Sequence, residues 1–212
     1  MLPRDFYLRP ATELAPLLLG KRLCRDTPEG RLTGRIVEVE AYVGPEDRGA
    51  HSFGGRRTAR TAVQFGPGGF AYVYLIYGMH CLFNIVAAEA EQPQVVLIRA
   101  LEPVEGLELM ARGRGRISEL CSGPGKLCAA LGITRELNGA DLCAGPLYLE
   151  DAPALPPERI AVSPRINIDY AGEYRDVPWR FYEADSPYVS KVPARYRAVG
   201  TLADLKEGSI RA

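Results

Sequence analysis

The chain has 212 residues, 47% hydrophobic and 25% charged, and Lys+Arg 26 against Asp+Glu 26 gives a formal net charge of zero. That length fits one domain, the composition excludes a disordered, collagen-like or coiled-coil chain, and the charge balance excludes a chain-wide cationic surface. Gly 22 and Pro 17 predict many turns, hence a loop-rich chain rather than a helix bundle.

In chain order, the opening residues MLPRDFYLRP lack the apolar stretch of a signal peptide. No apolar run approaches the ~20 residues of a membrane span. Five cysteines, an odd count with no CxxC, read as reduced thiols. These features point to a cytoplasmic or other intracellular setting without a membrane. Thr12 reads as the N-cap of a short helix that stops at Gly20. Residues 21–25 and 31–43 predict strands joined by a turn at Pro28-Glu29-Gly30. In the second, Val37, Val39, Ala41 and Val43 alternate with Glu38, Glu40 and Tyr42. Residues 44–69 form a glycine-rich functional loop with short helical pieces.

Residues 70–76 and 79–86 predict a β-hairpin with Tyr77-Gly78 at its tip, followed by a buried strand over 95–99. A helix is expected over 101–112, and Ser122 is expected to cap another that Gly132 ends. Later strands are expected over 147–149, 165–169 and 179–182. This order predicts an α+β fold, one compact domain over residues 1–212 with a curved, mainly antiparallel sheet and a protruding hairpin.

Three constellations bear on chemistry. Glu40 and Tyr42, two apart on a strand, share a face, so a carboxylate stands beside an aromatic ring. That pair reads either as a general base next to a stacking platform or as a solvated strand face. Tyr77, an aromatic beside glycine at a hairpin tip, reads either as a wedge between base pairs or as a ring folded onto the sheet. Arg99 ends an apolar run and needs an anion, either Glu40 or a structural partner such as Glu102. The arginines of residues 48–60 and 112–116 are two local basic patches, each either a polyanion contact or a solvated loop. The phosphate-loop-like Gly123-Pro124-Gly125-Lys126 lacks the first glycine and the magnesium-binding Ser or Thr. Neither a zinc-deaminase signature nor a nucleophile elbow occurs.

The segments from Gly34 through Asp47 and Ala50-His51-Ser52 together resemble the alkyladenine, or methylpurine, DNA glycosylases. So do Tyr72 through Met79, Asn84, Arg99 through Pro103, Leu120 through Pro124, Arg180-Phe181-Tyr182 and Ser186 through Ser190. The similarity spans residues 4 to 190, in the family's order. It implies a monofunctional enzyme that flips alkylated or deaminated purines from duplex DNA, approached from the minor groove, and hydrolyses the N-glycosidic bond as a monomer without cofactor or metal. By resemblance, Glu40 would activate water, with Arg99 and the Val189 carbonyl helping to hold it. Tyr42, His51, Tyr74 and Asn84 would form the base pocket. Tyr77 and His80 would contact the opened duplex, His80 standing where mammalian members carry a tyrosine. Gln64 replaces an apolar contact residue. Arg56, Arg57, Arg60 and Lys126 are the candidates for phosphate contacts. Two other readings stay open: a non-catalytic module that binds distorted duplexes, and a hydrolase of small nucleosides using Glu38 and Glu40 together.

Overall fold

The computed structural model describes residues 1–210. Nine strands form one open sheet: β1 (Arg22–Thr27), β2 (Gly30–Tyr42), β3 (Ala71–Ile76), β4 (His80–Ala87), β5 (Gln94–Glu105), β6 (Leu147–Glu150), β7 (Ile160–Ser163), β8 (Arg180–Glu183) and β9 (Gly200–Thr201). The order is β3-β4-β5-β2-β8-β7-β9, with β1 bridging β2 to β6. Every pairing described is antiparallel. Four helices accompany it: α1 (Ala11–Leu18), α2 (Leu107–Arg114), α3 (Pro124–Leu131) and α4 (Leu202–Lys206). The class is α+β, as the sequence predicts.

The two long strands β2 and β5 organise the molecule. Val39 and Ala41 of β2 and Val96 and Ile98 of β5 join the apolar faces of α1 and α3 in the main core. Their alternate neighbours face the other way. There the ladder aligns Glu40 with Leu97, Leu97 with Asn84, and Asn84 with Tyr72, a row crossing four strands. One face of the sheet is therefore a conventional apolar core, and the other carries a row of polar and aromatic side chains.

Several elements differ from expectation. The helix expected over 101–112 begins only at Leu107, because β5 runs on to Glu105 against β2, and Gly106 turns the chain at φ 77°. A side chain at Gly106 would clash with the Arg31 carbonyl at 2.5 Å. Thr12 lies inside α1, whose N-cap is Pro10; Pro16 is also inside and forfeits one helical N–H. Ser122 does not cap α3: Gly123 holds that position, with Pro124 opening the helix at fixed φ. Residues 165–169 are not a strand. Ile166 and Ile168 mimic alternation, but Asn167 between them has φ 60°, and the strand lies earlier, at β7. The loop over 44–69 holds two short 3-10 turns, Phe53–Gly55 and Ala62–Phe65. No helix of the described residues is long and apolar enough to cross a membrane.

Candidate active site

Two compensating register shifts build the site. Along β2 and β5, Val39 pairs with Ile98 but Glu38 pairs with Ala100, so Arg99 is an extra residue on β5. The register returns at Ile36 and Leu101, making Val37 the extra residue on β2. Bulges re-aim side chains, and here they bring Arg99 against two carboxylates at once. Its Nε donates to Glu38 Oε1 at 2.9 Å, and its Nη1 lies 3.3 Å from Glu40 Oε1. Both of the expected partners, Glu40 and a structural acid, are thus present, though the structural acid is Glu38 rather than Glu102.

Glu38 is fully buried and saturated. It accepts from Arg99, from Arg180 Nε at 2.7 Å, and from the Ser190 amide and hydroxyl, both at 2.8 Å. Burial pushes its carboxyl up, but the two guanidiniums and the Ser190 bonds outweigh that and hold it below the ordinary value. Both Glu38 oxygens are engaged within the protein, Oε1 by three hydrogen bonds and Oε2 by the Ser190 amide. Val189 precedes the amide that anchors Glu38. Its peptide is trans, so its carbonyl points away from Glu38.

Glu40 is also fully buried. Its Oε1 accepts from the Ile166 amide at 2.8 Å, and its Oε2 accepts from the Tyr42 hydroxyl at 2.9 Å. Of the two readings of this strand face, the solvated one does not hold: both carboxylates are buried. Burial first, then the Glu40 charge, raises the Tyr42 phenol well above its ordinary range, so it remains a donor. Behind Tyr42, Arg165 lies 4.6 Å over the ring, is held by Asp47 through both carboxylate oxygens, and stacks on Trp179 at 5.0 Å. Arg165, Asp47 and Arg180 are site-building residues to which sequence reasoning gave no role; the available signal for Arg180 was its place in the matching Arg180-Phe181-Tyr182 segment.

Tyr42 and Arg99 both line a cavity of about 540 Å³. Its walls include His51, Tyr74 and Asn84, so the expected pocket residues come together. His51 and Tyr74 meet edge to face at 4.6 Å, and the Asn84 amide donates to the Tyr72 carbonyl at 3.1 Å. Burial, then the nearby Arg60, lowers the His51 pKa to about 4. Its neutral ring sits 2.8 Å from the Tyr72 hydroxyl through Nδ1. Tyr77 is 82% exposed at the hairpin tip, with φ 53°. His80 begins β4 at the cavity mouth, against Gly125 of α3.

The expected phosphate contacts scatter. Arg56 is exposed, Arg57 pairs with Glu91 at 2.9 Å, and Lys126 pairs with Glu119 at 3.1 Å. Arg60 is exposed and contributes to the cavity wall. A second cavity of about 710 Å³, lined by Lys126, Val189 and Lys191 among others, adjoins the first at Arg99 and Pro124.

A sequence profile described as methylpurine-DNA glycosylase matches residues 5–187. A Methanocella arvoryzae protein assigned as a 3-methyladenine DNA glycosylase is 54% identical over 195 residues, 90% of this chain and 96% of its own. Proteins with the same assignment from Desulfitobacterium hafniense and Alkaliphilus oremlandii are 49% and 48% identical, over 89% and 90% of this chain and 98% of their own.

Proposed function

The chain belongs to the methylpurine-DNA glycosylase family, hydrolases that cleave N-glycosidic bonds in DNA repair, and from that premise we propose that Glu40 activates the water that releases a damaged purine. The carrying observation is that Glu40 touches Tyr42, Arg99 and Ile166, three residues that both contact it and line the cavity. The purine enters that cavity from the duplex and stacks on Tyr42, with His51 and Tyr74 opposite. Water attacks the anomeric carbon, its proton passes to Glu40, and the glycosidic electron pair leaves with the base. The transition state is oxocarbenium-like, and a buried carboxylate opposes its positive charge. Arg99 and the Val189 carbonyl orient the water.

In the resting arrangement the Ile166 amide and the Tyr42 hydroxyl occupy the Glu40 oxygens, so Glu40 exchanges one of these bonds for water when the nucleotide enters. No lysine among the described residues lines the cavity, which favours a monofunctional hydrolysis leaving an abasic site over amine catalysis. The substrates are purines of the 3-methyladenine, 7-methylguanine, hypoxanthine and ethenoadenine class. Residues 1–212 act as a single glycosylase domain, monomeric, with Tyr77 entering from the minor groove to fill the vacated stack. Asn84 crowds the exocyclic amine of guanine, and His80 meets the duplex beside the tip.

The test is Glu40→Gln. It is isosteric: its oxygen still accepts from the Ile166 amide and its NH2 donates to the Tyr42 hydroxyl oxygen, so abasic-duplex binding stays within about threefold while base release falls by at least the ~10²–10⁴ of a general base. Single-turnover release measured by alkaline cleavage decides it, and release at the wild-type rate overturns the mechanism.

A further inference from the structure

Glu40 presents its two oxygens to different kinds of partner. Oε1 accepts from the Ile166 amide at 2.8 Å and lies 3.3 Å from Arg99 Nη1. Oε2 has one partner among the described residues, the Tyr42 hydroxyl at 2.9 Å. A carboxylate oxygen accepts about two hydrogen bonds, so Oε1 is filled and Oε2 keeps a free lone pair. The partners differ in freedom as well. A phenol hydrogen turns about a single C–O bond, whereas a peptide N–H goes only where its backbone goes.

The backbone at Ile166 belongs to no helix or strand, yet it is tied down at three consecutive residues. On one side, Arg165 is fully buried. Its guanidinium grips both oxygens of Asp47, at 2.5 and 2.8 Å, and donates to the Ala41 carbonyl, next to Glu40, at 3.0 Å. Asp47 is itself fixed by the Gly49 amide at 2.8 Å and the Val43 amide at 3.3 Å. Bidentate pairs of this kind impose geometry as well as charge. On the other side, Asn167 adopts φ 60°, and its amide donates to the Tyr196 hydroxyl at 3.1 Å. Tyr196 is buried, and its carbonyl accepts from Arg180 Nη1 at 3.0 Å. None of Asp47, Arg165 and Tyr196 lines either cavity.

We propose that Asp47, Arg165 and Tyr196 are positioning residues: they brace the Ile166 amide against Oε1 of Glu40, so that Oε2 is the oxygen that takes the proton from water. This rests on the reading of Glu40 as the general base. As the water oxygen bonds to the anomeric carbon, its O–H bond breaks toward Oε2 and the glycosidic electron pair leaves with the purine. A carboxylate free to turn would offer that oxygen at a varying angle. A misplacement of about 1 Å caused far from the chemistry costs about 10²-fold in rate. Arg165 has a second route to the site, through the Tyr42 ring at 4.6 Å, which Tyr196 lacks.

The experiment follows single-turnover base release against protein concentration, with 7-methylguanine in the duplex, because a cationic base leaves with less help and keeps slow variants measurable. Asp47→Asn is expected to slow saturated release by about ten- to a hundredfold and Tyr196→Phe by about three- to tenfold, with half-saturation within about twofold of the wild type. In a Glu40→Gln background, neither substitution is expected to cost more than about a further twofold, since both act through that one carboxylate. Thermal melting checks folding. Tyr196→Phe deletes one hydroxyl and keeps the ring, so it decides the matter if Asp47→Asn does not fold. The brace is refuted if the folded variants release base at the wild-type rate, or if the loss falls on half-saturation instead of rate. Losses that multiply in the Glu40→Gln background also refute it, because the residues would then act elsewhere, as on the Tyr42 ring. If Glu40→Gln leaves no measurable release, the split between rate and half-saturation decides. Wild-type release by Glu40→Gln itself would instead remove the reading of Glu40 on which the brace rests.

Discussion

His51 shows how a single side chain is set by its surroundings. Its ring is wedged between Tyr72 and Tyr74 and faces Arg60, so both desolvation and a cation oppose its protonation, and its pKa falls from the ordinary 6.5 to about 4. The unfolded chain binds a proton below pH 6.5 and the folded chain does so only below about 4. Stability contributed by neutral His51 is therefore complete above pH 6.5 and is lost as pH falls from 6.5 toward 4. Replacing His51 with Phe keeps the aromatic packing and removes this proton. Urea midpoints measured at pH 7, 5.5 and 4.5 are expected to fall less steeply with acid in His51→Phe than in the wild type. Identical pH slopes would show that His51 titrates alike in both states. The residue-level parts of the site divide by what sequence spacing can show. Glu40 and Tyr42 are two apart on one strand, so their contact was legible. The Asp47–Arg165 pair spans 118 residues and the Glu38–Arg180 bond spans 142, and no local pattern records either.

At the scale of elements, the hairpin of β3 and β4 was legible because Tyr, Val, Ile and Phe fill both strands around Tyr77-Gly78. Both tip residues have positive φ, 53° and 70°, and the Met79 amide donates to the Ile76 carbonyl at 3.3 Å, as in a primed turn. A tyrosine is costly there, by ~1–2 kcal/mol against right-handed backbone. Tyr77→Gly removes that strain but gives back ~0.5–1 kcal/mol in chain entropy, so the melting temperature is expected to stay nearly unchanged. Base release from a paired duplex is expected to drop about tenfold or more, because extrusion costs a few kcal/mol and the displaced stack is no longer refilled. With the same lesion placed in an unpaired bubble, the loss is expected to shrink toward nothing. Equal losses in both substrates would assign Tyr77 a role other than filling the stack. The bulges at Val37 and Arg99 were not legible: each depends on two strands sliding by one residue, and neither strand alone records the slip. The start of α2 was misplaced for a related reason, since residues 101–105 satisfy a helical pattern until β2 claims them.

Over the whole molecule, a net charge of zero must coexist with binding a polyanion, and ion pairing decides how many cations remain for it. Most arginines near the cavities are committed: Arg57 to Glu91, Arg99 and Arg180 to Glu38, Arg165 to Asp47. Lys126 and Lys191 both grip Glu119, at 3.1 and 3.0 Å, across the adjoining cavity. Their attraction, with hydrogen bonds from Lys191 first and Lys126 next, holds the Glu119 carboxyl down at about 2. Among the described residues of this region, Arg48, Arg56 and Arg60 are exposed and without an acidic partner. Each phosphate neutralised contributes about −0.9 to the slope of log affinity against log salt concentration. An abasic-site duplex is accordingly expected to show a shallow slope of about −2 to −4 by fluorescence anisotropy between 50 and 200 mM salt. Arg56→Gln is expected to remove about 0.9 from it. Glu119→Gln releases two lysines on the cavity rim and is expected to steepen it by about 1–2 while tightening binding. A wild-type slope beyond about −6 would mean that DNA pulls the paired lysines and arginines off their carboxylates, and that charge held in ion pairs in the free protein is spent on phosphate in the complex.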